Sequence, residues 1–212
     1  MIGLPFLLSF YLFLGINIGA LTAFVLYKIP KLKAQHLYFL CGFVLIALLV
    51  LELIPHATQE YGLISVLFGA SLGVLICLFL HGLFERLSPS KAYQPSLFII
   101  VGIAVHNIPA GLAIGTALDN ELLSASFIAA LLLHQIPEGL AIMASLLLSV
   151  GERLPFLLFF ITSILLSGTF LVFSNIGQSM AVPLRFNGVI FGIAIGFLLF
   201  TALWDFLLKK HS

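Results

Sequence analysis

Long apolar runs separated by short polar breaks are the dominant pattern of this chain. A helix that crosses the hydrocarbon core of a bilayer needs about 20 mostly apolar residues. Seven runs meet that length, at residues 4–27, 37–55, 63–84, 96–118, 122–149, 154–174 and 188–208. The breaks between them carry helix-ending punctuation: Pro30, Pro55, Ser88 with Pro89, Asp119 with Asn120, Gly151 with Glu152, and Pro183. The pattern predicts an all-α polytopic membrane helix bundle of about seven transmembrane helices. Residues 1–212 are expected to form a single transmembrane domain. Glycines recur at four-residue spacing, as Gly69 with Gly73, Gly111 with Gly115 and Gly192 with Gly196. Such pairs let helix backbones approach where lipid offers no hydrophobic drive for association.

Composition narrows the class further. Of 212 residues, 62% are hydrophobic and 8% charged, against about 25% charged in a soluble domain, and the mean hydropathy is +1.24. The formal net charge of +1 leaves no basic surface for nucleic acid. Cys41 and Cys77 both fall inside apolar runs and read as packing residues. The first run begins without a basic stretch and continues to Lys28, which fits a spanning helix better than a cleaved signal. Eight of the nine basic residues fall on one side of a seven-span topology: Lys28, Lys31, Lys33, Arg86, Lys91, Arg153, Lys209 and Lys210. Only Arg185 falls on the other side. The basic side is expected to be cytoplasmic, which puts the N-terminus outside. Low charge and short loops suggest a multi-pass protein of a prokaryotic plasma membrane. Glu60, Asp119 and Glu121 lie on the outer side, and read better as ordinary loop residues than as a vestibule that attracts cations.

The chemistry concentrates in the fourth and fifth runs, which repeat nearly the same phrase. HNIPAGLAI starts at His106 and HQIPEGLAI at His134, 28 residues later, with seven of nine positions identical. Ionisable residues inside a membrane are costly, so matched pairs of them ask for a functional reason. Residues four apart share a helix face, so His134 and Glu138 project together. The equivalent position in the first phrase is Ala110, and the amides Asn107 and Gln135 point about 100° away around the helix. Pro109 and Pro137 lack an N–H, so the carbonyls of Val105 and Leu133 lose their helical partner. In lipid that loss must be made good by protein, water or a ligand. Two imidazoles, one carboxylate and a water suit zinc or a similar first-row divalent metal.

The two phrases resemble the fourth and fifth membrane helices of the ZIP (Zrt/Irt-like) metal transporters. That signature is His-Asn-x-Pro-Glu-Gly in one helix and a His- or Gln-led x-x-Pro-Glu-Gly in the next. LLVLELIPHA at 48–57 is similar to the family's second helix, and GIAIGFLLFTALWDFLL at 192–208 to its seventh. The resemblance implies transport of a divalent metal, zinc or alternatively iron or manganese, toward the cytoplasm through a site between helices 4 and 5. His106, His134 and Glu138 would hold the main metal, and Asn107 and Gln135 would border a neighbouring one. No prosthetic group is implied, since the metal is the transported substrate. The implied partners are the ion and the lipid, and a homodimer is left open.

The sequence departs from the family's pattern in several places. The acid of the first motif is Ala110 here, and the sixth run has no ionisable residue, Ser167 being its nearest polar one. The family usually has eight spans, whereas seven are read here. The loop between spans three and four lacks the histidine-rich tract often seen there. One metal is therefore expected rather than two.

Other polar residues inside the runs carry weaker signals. Glu52 with His56 reads as a helix-end pair ahead of a loading site, and His81 with Glu85 has the spacing of an exit site. Asp205 with Lys209 reads as an i,i+4 pair at the inner interface, and Trp204 with Tyr27 as interfacial anchors. Asn17, Asn175 and Ser167 fit either helix glue or a path lining, while His36 and His211 read as loop or tail residues. Not an enzyme is the expectation. Two rival readings stand behind the carrier: a degenerate member acting as metal sensor or structural partner, and an intramembrane metallohydrolase.

Overall fold

A computed structural model describes residues 3–29, 34–87, 94–118, 129, 133–150, 155–180 and 182–208. Every element among the described residues is a helix. Helix α1 is Leu4–Tyr27. Helix α2 covers 34–61, in three parts: Ala34–Leu48, a wider-wound π segment at Leu49–Leu53, and Ile54–Tyr61. Gly62, at φ 87°, then turns the chain directly into α3, Leu63–Leu87. That positive φ suits glycine and strains other residues. Helices α4 (Gln94–Leu118), α5 (Gln135–Val150) and α6 (Pro155–Gln178) follow. Helix α7 covers 184–208, with α-geometry over Leu184–Phe200 and π-geometry over Thr201–Leu208.

Six of these helices are long and apolar enough to cross a membrane, and α5 contributes a shorter apolar helix over Gln135–Ser149. The run expected from residue 122 includes 122–128 and 130–132, which lie outside the described residues. The outer acids Asp119 and Glu121 fall there too, as do Lys31, Lys33, Lys91, Arg153, Lys209, Lys210 and His211. Large apolar side chains point outward along the spans, Ile64 at 84% exposure and Leu51 at 75% among them. An apolar surface of that kind belongs against acyl chains. Inside, Leu12 and Ile16 of α1, Leu45 of α2 and Ile114 of α4 share one buried cluster with residues of α5, α6 and α7. Cys41 and Cys77 are buried and unbridged, in keeping with their reading as packing residues.

Three helix pairs pack along their lengths: α3 with α7, α4 with α6, and α1 with α5. Glycine sets the closeness of each pair. A Cβ on Gly69 or Gly73 would lie 2.1 or 2.3 Å from a carbonyl oxygen of α7, and one on Gly192 or Gly196 would lie 2.4 or 2.2 Å from a carbonyl oxygen of α3. Two of the glycine pairs seen in the sequence thus face one another. The third pair, Gly111 and Gly115, meets Phe170 and Ser174 of α6. The α1–α5 contact runs through Gly19 and Gly139; Gly19 has Gly15 four residues before it, a spacing that was passed over in the sequence, while α5 supplies Gly139 alone. These three pairs then join through α4 against α7 and α1 against α6, while α2 lies across the far end of α7 and beside α5.

Several polar residues settle within their own helices. Asn17 donates to Phe13 O at 2.7 Å and Asn175 to Leu171 O at 2.7 Å, each one turn back. Trp204 stacks on Phe200, with centroids 6.1 Å apart.

The glycine contacts make a direct prediction. Gly139→Ala would drive its Cβ to 2.0 Å from Ile16 O, whereas Gly168 has nothing within 4 Å of that position. Gly139→Ala should cost about 1–3 kcal/mol in overpacking, and Gly168→Ala should be neutral or stabilising by up to about 1 kcal/mol. Thermal unfolding of the detergent-purified variants measures both. Equal melting temperatures would show that α1 and α5 do not pack backbone to backbone.

Candidate metal centre

The duplicated phrases end up at one level of the bundle, but on unlike backbones. Helix α4 continues unbroken through Pro109. Before α5, by contrast, His134 sits in a turn and the helix starts at Gln135, so Pro137 and Glu138 belong to its first turn. Proline is tolerated there because the first helical N–H groups lack partners anyway. The Glu138 N–H reaches His134 O at 3.5 Å, a long bond. The glycine of each phrase has its own docking partner: Gly111 seats α4 on α6, and Gly139 seats α5 on α1. The repeated sequence therefore places two helices in two different cradles with their histidines facing.

His106, His134 and Glu138 come together: one ligand atom from each lies within 4.8 Å of the others. The two imidazole rings have centroids 5.9 Å apart and cross at 81°. All three residues are buried, at 3%, 1% and 1% exposure. His106 Nδ1 lies 3.0 Å from Ala194 O of α7 and, as the protonated nitrogen, donates to it. That bond leaves Nε2 as the lone-pair nitrogen, and Nε2 is buried with no hydrogen-bond partner. A backbone carbonyl on the far ring nitrogen is a common way to orient a metal-binding histidine. Both carboxylate oxygens of Glu138 are likewise buried without a partner.

The two amides that follow the histidines make different contacts. Asn107 Nδ2 donates to Leu166 O of α6 at 3.3 Å, and its Oδ1 has no partner. Gln135 Nε2 lies 2.8 Å from His134 Nε2 and donates to it, while Oε1 has no partner. A metal on His134 Nε2 would therefore displace that amide. Ser167 turns its hydroxyl back to Ser163 O at 2.8 Å, and its own carbonyl accepts from Ser9 of α1 at 2.7 Å. From α6, the Leu166 carbonyl is what the cluster's border meets. Ala110 is buried one turn from His106 and supplies no ligand atom.

Thr201 was not singled out from sequence. It lines a cavity of about 10 Å³ with His106, Glu138, Gly102 and Ile103, a space on the order of one water. It lies two turns along α7 from Ala194, the carbonyl that holds His106, and no local sequence signal marks it. On the cytoplasmic half, as assigned from charge, Ser145 donates to Ser96 Oγ at 2.8 Å and Ser96 to Ser145 O at 3.0 Å, with Ser149 bonded to Ser96 as well. These bonds tie α4 to α5 beneath the cluster.

The secondary candidates stand apart. Glu52 is carried on the π segment of α2 and lines an outer-half cavity of about 470 Å³ with Leu51, Ala129 and Leu133. The ring of His81 lies edge-on to Phe98 at 4.7 Å and near Phe200 and Trp204, in an aromatic surround. The side chains of Glu85 and Asp205, which would complete the pairs expected with His81 and Lys209, lie outside the described residues.

The profile described as ZIP Zinc transporter matches residues 85–212, the stretch that carries both phrases. No curated protein matches the chain.

Metal binding should follow the geometry. The detergent-purified protein is expected to take up Co²⁺ with the visible absorption of nitrogen and oxygen ligation. Gln135→Ala should weaken that binding by about tenfold through lost orientation of His134, and Glu138→Gln by about a hundredfold or more. A titration curve unchanged by Glu138→Gln would remove the carboxylate from the site.

Proposed function

The chain belongs to the ZIP zinc transporter family, a family of divalent-metal transporters, and from that premise we propose that it carries a divalent cation toward the cytoplasm through His106, His134 and Glu138. One observation carries this reading. Three buried donor groups converge within 4.8 Å, and the carboxylate oxygens of Glu138 and Nε2 of His106 have no partner among the described residues. A carboxylate in a membrane interior is costly unless paired or coordinated. A divalent cation supplies the missing partner for all of these atoms at once.

Zinc is the favoured substrate, with iron and manganese as alternatives, since imidazole and carboxylate suit several first-row metals. The ion sheds most of its water, binds between α4, at the level of its first phrase, and the start of α5, and leaves inward as the helix groups rock against each other. Asn107 and Gln135 act as neighbours that orient and border the ion. The setting is a plasma membrane with the N-terminus outside, as the basic residues imply. Among enzyme readings, hydrolysis by metal-bound water would need a further acid or base, and α6 carries no ionisable residue to supply one.

Ala110 in place of a carboxylate favours a second reading, in which the chain binds metal as a sensor or structural partner without carrying it. Uptake by the purified chain in vesicles enclosing a metal-responsive dye separates the two. Wild type is expected to admit Zn²⁺, with His134→Ala and Glu138→Ala each reducing the rate to background. Full-rate uptake by either folded variant would overturn the assignment of these ligands. Vesicles that bind metal but admit none would favour the sensor.

The pH response has a definite sign. Protons compete with metal for both the imidazoles and the carboxylate, so affinity is present where these groups are deprotonated and is lost as pH falls. Zn²⁺ uptake should therefore decline on acidification of the outer buffer. A rate that rises on acidification would point to a different coupling.

A further inference from the structure

Asn187 lies in the first turns of α7 and is 3% exposed. Its Nδ2 donates across the bundle to Ala113 O of α4 at 3.2 Å. Its Oδ1 is buried and has no partner. The hydroxyl of Thr116, also buried, donates to the same Ala113 carbonyl at 2.8 Å. The amide of Asn187 and the hydroxyl of Thr116 thus meet at one carbonyl on the α4–α7 seam.

That point is in register with the metal cluster. The seam is crossed a second time by His106 of α4, bonded to Ala194 O of α7. Ala113 lies seven residues beyond His106, and Asn187 seven residues before Ala194, as expected of antiparallel helices. Two helical turns separate the levels, about 10 Å along the helix axes. Asn187 sits toward the end that the basic residues assign to the outside. Ala110, between the two levels on α4, is small and apolar.

A tie between two helices needs only the N–H of this amide. The buried oxygen left over costs about 1–3 kcal/mol, and a bilayer interior offers no water in compensation. We propose that Asn187 Oδ1, on the amide that shares the Ala113 carbonyl with the Thr116 hydroxyl, is an outer staging site at which a partly hydrated divalent cation pauses before reaching His106, His134 and Glu138. This inference rests on the transport reading above. Neutral oxygen donors suit a hard ion that keeps several waters. Their weak hold lets the ion pass on to the charged cluster. Asn187 thereby sets the concentration dependence of entry, and the cluster sets the tight binding.

Mn²⁺ is the probe, followed by loss of its free-ion electron paramagnetic resonance signal in titrations of the purified full chain. Wild type should show a tight and a weak class of binding, with His134→Ala losing the tight class and keeping the weak one. Asn187→Leu should lose the weak class alone. Asn187→Asp decides between ligand and tie: it removes the Nδ2 donor to Ala113 but adds charge to the oxygen. A ligand role predicts Mn²⁺ binding to the weak class tightened by about tenfold, and a tie predicts binding weakened or unchanged. In vesicles, Asn187→Leu should raise KM for Zn²⁺ by about tenfold with the maximal rate held within about twofold.

A reduced maximal rate at constant KM in both variants, or a weak Mn²⁺ class indifferent to Asn187, overturns the proposal. If Asn187→Leu does not fold, the sign of the change in Asn187→Asp decides alone. Wild type that carries no Zn²⁺ but loses weak Mn²⁺ binding in Asn187→Leu would end the transport reading and leave the staging site standing. Normal flux with Mn²⁺ binding unaltered by either substitution would do the reverse.

Discussion

Hydrocarbon cannot hydrogen-bond, and that constraint governs the whole molecule. Most polar groups in the spans are satisfied within their own helix, as with Asn17 on Phe13 O and Thr201 on Phe197 O. A smaller set reaches across to a neighbour's backbone: His106 to Ala194, Asn107 to Leu166, Asn187 to Ala113. Among the described residues, buried side-chain atoms of His106, Asn107, Gln135 and Glu138 are left without a hydrogen-bond partner, and all four residues belong to the two phrases. In a soluble protein ordered water would meet such needs. Here the gathering of unmet acceptors around two imidazoles is the observation on which the proposed metal site rests.

The duplicated phrase solves a geometric problem with a fixed division of labour. Its glycine brings each helix against a different partner, α4 on α6 and α5 on α1, at backbone contact. Its proline is accommodated differently in the two copies, inside α4 and in the first turn of α5. Identical words therefore produce unlike local structures, and the difference comes from the surroundings. His134 precedes its helix and takes its partner from the adjacent Gln135, whereas His106 sits mid-helix and is held by α7.

Much of this was legible from the chain. Seven apolar runs and the matched phrases pointed to an all-α membrane bundle and to His106, His134 and Glu138, because length, hydropathy and i,i+4 spacing are local properties. The glycine spacings at Gly69–Gly73 and Gly192–Gly196 were legible for the same reason, but not that they face one another. The π segments at Leu49–Leu53 and Thr201–Leu208 were not, since widening a helix by one residue leaves hydropathy unchanged. Nor was the break before α5, where the apolar run continues through a turn. Bonds such as His106 to Ala194, 88 residues apart, depend on helix pairing that no local pattern reports. Asn187 was not singled out in the sequence and gains its meaning only with α4 set against it, and Thr201 became visible only with the cavity it lines.

Charge gives the substitution at Ala110 its meaning. An ion of charge +2 held by two neutral imidazoles and one carboxylate leaves the cluster with a net positive charge in a medium where charge is poorly screened. A second acid at position 110 would cancel it, and the chain has alanine there. The neighbouring oxygens that can soften the excess are all neutral: Asn107 Oδ1, Gln135 Oε1 and the hydroxyl of Thr201. Space on the order of one water lies between His106, Glu138 and Thr201, and a water retained there would complete four-fold coordination. Binding at such a cluster is weaker than at a neutralised one. For a carrier that must release its ion within each cycle, weak binding at the deepest point shortens the longest wait.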